Sequence, residues 1–190
     1  QLVGDCEFLY ENWIIPENSA GLAFSGANQG ISGQTSAEIS NRVGAAMDMN
    51  PTDIFIDNGT NEMTTDSVDT IMNHTMLIVS QILEIDPNVR VHLLSTLSRE
   101  TSSWAGGSAA RKKYLQVNER KRDFADRHDN IYFCDWNSVW VDPASADGEP
   151  YANYTYDGIH IGPEGGHALG VYLAAYISKF APTKRKILTS

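Results

Sequence analysis

Short β-rich runs alternate with longer amphipathic segments along the whole chain, and this alternation constrains the fold more than any other feature. Apolar runs at Leu2-Val3, 21–24, 52–57, 89–97 and 130–134 have the length and composition of strands, several ending at Gly, Asn or Asp. Between them, 35–47 carries Ile39, Val43 and Met47 at i, i+4 and i+8, while 65–85 carries Val68, Met72, Val79 and Leu83 on one side. Residues 108–128 read as a charged surface helix. Gly162-Pro163 opens a last helix running to Phe180, with Pro at a tolerated first-turn position. Strands alternating with helices of this length predict a parallel sheet covered on both faces, a three-layer α/β/α sandwich forming one domain over 1–190. The ligand crevice of such folds lies beyond the carboxyl ends of the strands, so the loops after Val3, Phe24 and Asp57 are the expected functional ones.

Composition excludes several classes. With 42% hydrophobic and 20% charged residues the chain is neither disordered nor a coiled coil. No apolar run approaches the ~20 residues that cross a bilayer, so no membrane span is expected. A net charge of -10 repels phosphate backbones and argues against nucleic acid as a partner. Seven of the 14 basic residues fall between Arg111 and Arg127, interleaved with Glu119, Asp123 and Asp126, which reads as a solvated helix face. The expected site face is thereby left acidic and suits a neutral ligand better than an anionic one. The chain starts at Gln1 with neither a basic nor an apolar leader segment, so either a leader has been removed or this is a module of a longer protein. An extracytoplasmic or surface setting is expected.

Four segments could carry chemistry. Gly4-Asp5-Cys6 falls where the first strand turns into its helix, a place that exposes a side chain and favours a thiolate; a buried structural cysteine is the competing reading. Asp157-Gly158-Ile159-His160 lies just ahead of the last helix, where one turn of chain can bring the carboxylate onto one imidazole nitrogen and leave the other as a base. Asn28-Gln29-Gly30-Ile31-Ser32-Gly33 and Gly59-Thr60-Asn61 both follow predicted strands. They are either turns alone or an oxyanion hole made of the Gly30 N–H, the Asn61 amide and the Cys6 N–H. Trp104, Tyr154 and Tyr156 are candidate stacking surfaces for a sugar ring, with Trp136 and Trp140 divided between that role and the core. His74, His92, His128 and His167 show no spacing resembling a zinc site, and no glycine-rich phosphate loop is present. No metal or cofactor is expected.

In order and spacing these four segments resemble the blocks of the SGNH (GDSL-type) hydrolase family, and the Gly30 to Thr35 stretch with Gly59-Thr60-Asn61 is similar to its acetylesterase branch. The resemblance implies a flavodoxin-like sheet of five parallel strands and a metal-independent acyl-ester hydrolase. It places the nucleophile at position 6, the orienting acid at Asp157, the base at His160 and the oxyanion donors at Gly30, Asn61 and the position 6 N–H. The expected partner is a small-molecule or glycan ester. The chain departs from the family in having Cys6 where Ser is usual and Glu62 where Asp is usual, the latter a matter of loop support. Three explanations stand for Cys6: a thiol hydrolase, an impaired or non-catalytic glycan-binding module of a surface or viral tail-type protein, or a deliberate Ser-to-Cys change. A lysophospholipase or thioesterase on the same scaffold is a further alternative.

Overall fold

The computed structural model of the chain describes residues 27–104 and 107–180, and everything below concerns those residues. Two of the expected strands, at Leu2-Val3 and 21–24, lie outside them. The other three form one parallel sheet in the order β1 (Asp53–Ile56), β2 (Arg90–Leu94), β3 (Ile131–Cys134). Asp53 pairs with Arg90 and Ile56 with Leu93, while Val91 pairs with Ile131 and Leu94 with Cys134. Parallel neighbours need crossovers, and the chain supplies α3 (Val68–Ile85) between β1 and β2 and α4 (Ser108–Ala125) between β2 and β3.

Alternation along the strands sends side chains to two layers. Ile56, Val91, Leu93 and Ile131 pack against Ile78, Val79 and Ile82 of α3 and Ala125 of α4 on one face. Leu94 and Cys134, with Phe55 beside them, pack against Leu169, Leu173 and Tyr176 of α5 (Pro163–Ser178) on the other. A three-layer α/β/α arrangement results. Among the described residues no helix is long and apolar enough to cross a membrane.

Local chemistry sets the helix ends. Thr35 and Glu38 form a reciprocal capping box at the start of α1 (Ser36–Ser40), and the Ser67 hydroxyl caps α3 by accepting the Thr70 N–H at 3.0 Å. One continuous helix was expected over 35–47, but the chain breaks after α1 and resumes as α2 (Val43–Met47). Asn41 and Arg42 donate to carbonyls three residues back, which tightens the turn, and the Arg42 guanidinium reaches back to Gln34 Oε1 at 2.6 Å and to the Gln29 carbonyl.

The expected solvated face of α4 also needs correction. Arg120 and Arg122 do reach outward to Asp69 and Asp135, but Lys121 is completely buried. Its position matches the inward stripe of Ala110, Tyr114, Val117, Asn118 and Ala125, all of them buried, and that periodicity was available in the sequence.

Candidate active site

Three loops converge at the carboxyl ends of the strands. The Asp157 to His160 segment is built as a tight turn between the bridged residues Thr155 and Ile161. Asp157 Oδ1 accepts the backbone N–H groups of Ile159 at 3.0 Å and His160 at 2.8 Å, and its other oxygen, Oδ2, meets His160 Nδ1 at 2.6 Å. The backbone and ring hydrogen bonds from His160, with help from the Ile159 N–H, hold the Asp157 carboxyl down at about 2. It is therefore ionised throughout the ordinary pH range. A carboxylate on Nδ1 favours the neutral tautomer with the proton there, in which Nε2 is the proton-accepting nitrogen.

Gly158 makes this turn possible. Its φ of +80° is a left-handed conformation, and an added Cβ would collide with Ser103 Oγ and lie 2.7 Å from Glu100 Oε2. The close approach exists because the Glu100 N–H donates to the Gly158 carbonyl at 3.0 Å, so the loop after β2 braces the Asp157–His160 turn. That loop is itself pinned to the segment after β3. The Trp136 indole N–H donates to the Ser95 carbonyl, that of Trp140 to the Ser98 carbonyl at 2.7 Å, and Asn137 Oδ1 accepts the Ser98 N–H at 2.9 Å. Trp136 and Trp140 are thus core residues that hold the loop. Trp104 is buried too, packed on Tyr114, and Tyr154 is half-buried against Trp140 and Tyr151. Of the three aromatic candidates only Tyr156 is broadly exposed, at 64%, with its ring nearly parallel to that of His160.

The two oxyanion candidates sit in neighbouring loops. The Asn61 side-chain amide donates to the Gln34 carbonyl at 2.9 Å, which ties the turn after β1 to the loop ahead of α1. The Gly30 N–H donates to Asn28 Oδ1 at 2.7 Å. Glu62 is buried, and its Oε1 accepts the Ser36 N–H at 2.8 Å and the Ser36 hydroxyl, so the residue following Asn61 anchors the head of α1. Gly4-Asp5-Cys6, with the expected nucleophile, lies outside the described residues.

Sequence reasoning missed Arg99. Burial lowers the affinity of its guanidinium for its proton, while the nearby carboxylates of Asp157 and Asp57 act in the opposite sense. No local sequence pattern marks it, since its one acidic neighbour is Glu100 and the predicted strand before it already carries Arg90.

Comparison with known proteins gives the family and the fold. The sequence model of the GDSL-like lipase/acylhydrolase family matches residues 2–168, which includes positions 6, 30, 61, 157 and 160. The chain belongs to that family. GDSL-like acylhydrolases are ester hydrolases, and the three-layer fold described above recurs in solved structures. A GDSL-like lipase from Bacteroides thetaiotaomicron superposes with a TM-score of 0.71 at 23% identity, covering 80% of this chain and 75% of that one. A carbohydrate esterase family 3 protein from Talaromyces cellulolyticus gives 0.66 at 16% identity, covering 83% and 72%. A carbohydrate acetylesterase from Sinorhizobium meliloti gives 0.68 at 17% identity, covering 95% and 89%. No curated protein matches by sequence.

Proposed function

We propose that this GDSL-like acylhydrolase removes acetyl or another short acyl group from a carbohydrate ester. The observation that carries the reading is the Asp157–His160 pair, with Oδ2 2.6 Å from Nδ1 and Oδ1 occupied by two backbone N–H groups. Cys6 attacks the ester carbonyl carbon as its proton passes to His160 Nε2. The tetrahedral intermediate collapses, the C–O bond to the alcohol breaks, and His160 returns the proton to the leaving oxygen. Water then adds to the thioester with His160 again as base, and expulsion of the thiolate releases the carboxylic acid. Asn61 and Gly30 stabilise the oxyanion, the Gly30 N–H exchanging Asn28 for the substrate oxygen.

The carbohydrate assignment is supported by Tyr156, an exposed ring parallel to the base on which a sugar could stack, and by the net charge of -10, which disfavours anionic substrates. The carbohydrate esterases among the similar folds agree with it. Hydrolysis of p-nitrophenyl acetate and of an acetylated oligosaccharide by the wild type, Cys6→Ala and Cys6→Ser tests the reading. Cys6→Ala is expected to abolish turnover of both esters. Unchanged turnover refutes the nucleophile, and glycan binding without hydrolysis by either thiol or hydroxyl form replaces the enzyme with a binding module.

A further inference from the structure

Lys121 is fully buried in the middle of α4, where its neighbours Arg120 and Arg122 reach outward. Its Nζ donates to the Asn58 carbonyl at 2.8 Å, the Leu94 carbonyl at 3.0 Å and Thr96 Oγ1 at 3.3 Å, which occupies all three N–H groups of an ammonium. These acceptors sit at the carboxyl ends of β1 and β2, and all are neutral. A buried cation held by neutral oxygens is a costly way to finish two strands. The cost shows in its acidity: burial brings Lys121 down to about 8, against the opposing pull of Asp57 and Glu62.

What the ammonium holds is the start of the turn that carries Asn61. The Asn58 carbonyl also accepts the Thr96 hydroxyl at 3.1 Å, and the Asn58 side chain donates to Ser36 Oγ and Thr75 Oγ1, both at 2.8 Å. Gly59 follows at φ +101°, with its Cβ direction 3.2 Å from Thr96 Oγ1, so the turn lies directly on the atoms Lys121 fixes. Thr96 is locked in turn by Asn118, one helical turn before Lys121, through bonds of 2.7 and 2.9 Å to its backbone.

We propose that Lys121 is a positioning residue for the oxyanion donor: its ammonium fixes the Asn58 carbonyl and so aims the Asn61 amide, an inference that rests on the esterase reading. A neutral amine retains two N–H groups and cannot hold three acceptors. The turn therefore loosens as the ammonium deprotonates. The carboxylates facing it are Asp57, at the end of β1, and Glu62, in the turn that follows; the end of β2 presents only neutral groups.

Lys121→Met and Thr96→Val, with the exposed Lys112→Met as control, test this. For p-nitrophenyl acetate, Lys121→Met is expected to lower kcat by about ten-fold or more with KM held within about two-fold, since an oxyanion donor acts in the transition state. Thr96→Val gives the same split more weakly, and Lys112→Met changes nothing. Wild-type kcat is expected to fall above about pH 8 along a limb that Lys121→Met lacks. Independently of turnover, the backbone amide resonances of Gly59, Thr60 and Asn61 are expected to titrate in the wild type together with Lys121 Nζ. Full kcat in Lys121→Met, or amides indifferent to the lysine titration, overturns the proposal. If Lys121→Met does not fold, Thr96→Val and the wild-type titration decide it. A wild type that hydrolyses no ester overturns the esterase reading alone, and the amide titration still accepts or rejects the role of Lys121.

Discussion

Replacing Asp157 by Asn probes the candidate site where its geometry is most specific. Oδ1 accepts two backbone N–H groups, from Ile159 and His160, so an asparagine at 157 must place its carbonyl oxygen there. Its NH2 then faces His160 Nδ1, where Oδ2 stood at 2.6 Å. A donor facing Nδ1 demands an unprotonated Nδ1, which moves the ring proton to Nε2 and removes the base. The loss expected for a tautomer so reversed is about 10⁴-fold in kcat, or about 5.5 kcal/mol of barrier. Asp157→Ala removes the carboxylate without forcing the tautomer, so it should be at least as active as Asp157→Asn. Initial rates on p-nitrophenyl acetate, with ¹⁵N shifts of the imidazole nitrogens to read the tautomer, make the comparison. If Asp157→Asn is folded and keeps kcat within about ten-fold of the wild type, the assignment of Asp157 as orienter is refuted.

Further outcomes follow from other parts of the structure. Gly158→Ala meets both a left-handed φ and the Glu100 and Ser103 side chains, so kcat should fall by about 10² as His160 is displaced; wild-type activity would show that the brace does not set the turn. In acid, Asp53 and His92 destabilise the fold in sequence. Burial holds His92 neutral below its usual range, so stability is lost first as pH falls below the ordinary histidine value of 6.5. Desolvation of Asp53 is outweighed by its bonds to Arg90 and His92, giving a carboxyl at about 2 whose contribution, at most about 2 kcal/mol before solvent screening, is present above 3.8 and lost towards 2. A Tm against pH profile of Asp53→Asn that coincides with the wild type above pH 4, or a gap that does not close towards pH 2, contradicts this assignment. Iodoacetamide with peptide mapping should modify Cys6 rapidly and Cys134 only on unfolding, because burial beside Asp135 pushes the Cys134 thiol up to about 12; equal rates would remove the contrast.

The described strands were legible because periodicity reports burial, and burial is what places a strand in a parallel sheet. The expected runs 52–57, 89–97 and 130–134 contain β1, β2 and β3. Where they overshoot, side chains have taken over the work of the ladder. Ser95 and Ser98 give their carbonyls to the Trp136 and Trp140 indoles, and Thr96 bonds Asn118 through both backbone groups, so the chain after Leu94 leaves the sheet with its polar groups satisfied. The Asp157–His160 pair was legible because the two lie three residues apart and one local turn joins them. Arg99, Glu100 and Ser103 were not, since their parts depend on a contact between loops more than fifty residues apart in sequence, which no local pattern encodes.

The same distinction explains why α4 was misread. Counting charges treats its basic residues as equivalent, but helix geometry does not: Arg120, Lys121 and Arg122 point in directions about 100° apart, so adjacent cations meet entirely different surroundings. Two find exposed carboxylates, and the third enters the space where β1 and β2 end. An apolar residue at 121 would fill that space, but it would leave the Leu94 carbonyl without its ammonium partner and the Asn58 carbonyl with the Thr96 hydroxyl in place of two donors. The parallel sheet therefore meets its functional edge through a polar joint, in which Asn58, Thr75, Ser36 and Glu62 continue the hydrogen bonds that Lys121 begins. Apolar packing fixes where the strands lie, whereas directional bonds fix where the loops beyond them point, and the orientation of the Asn61 turn belongs to the second kind.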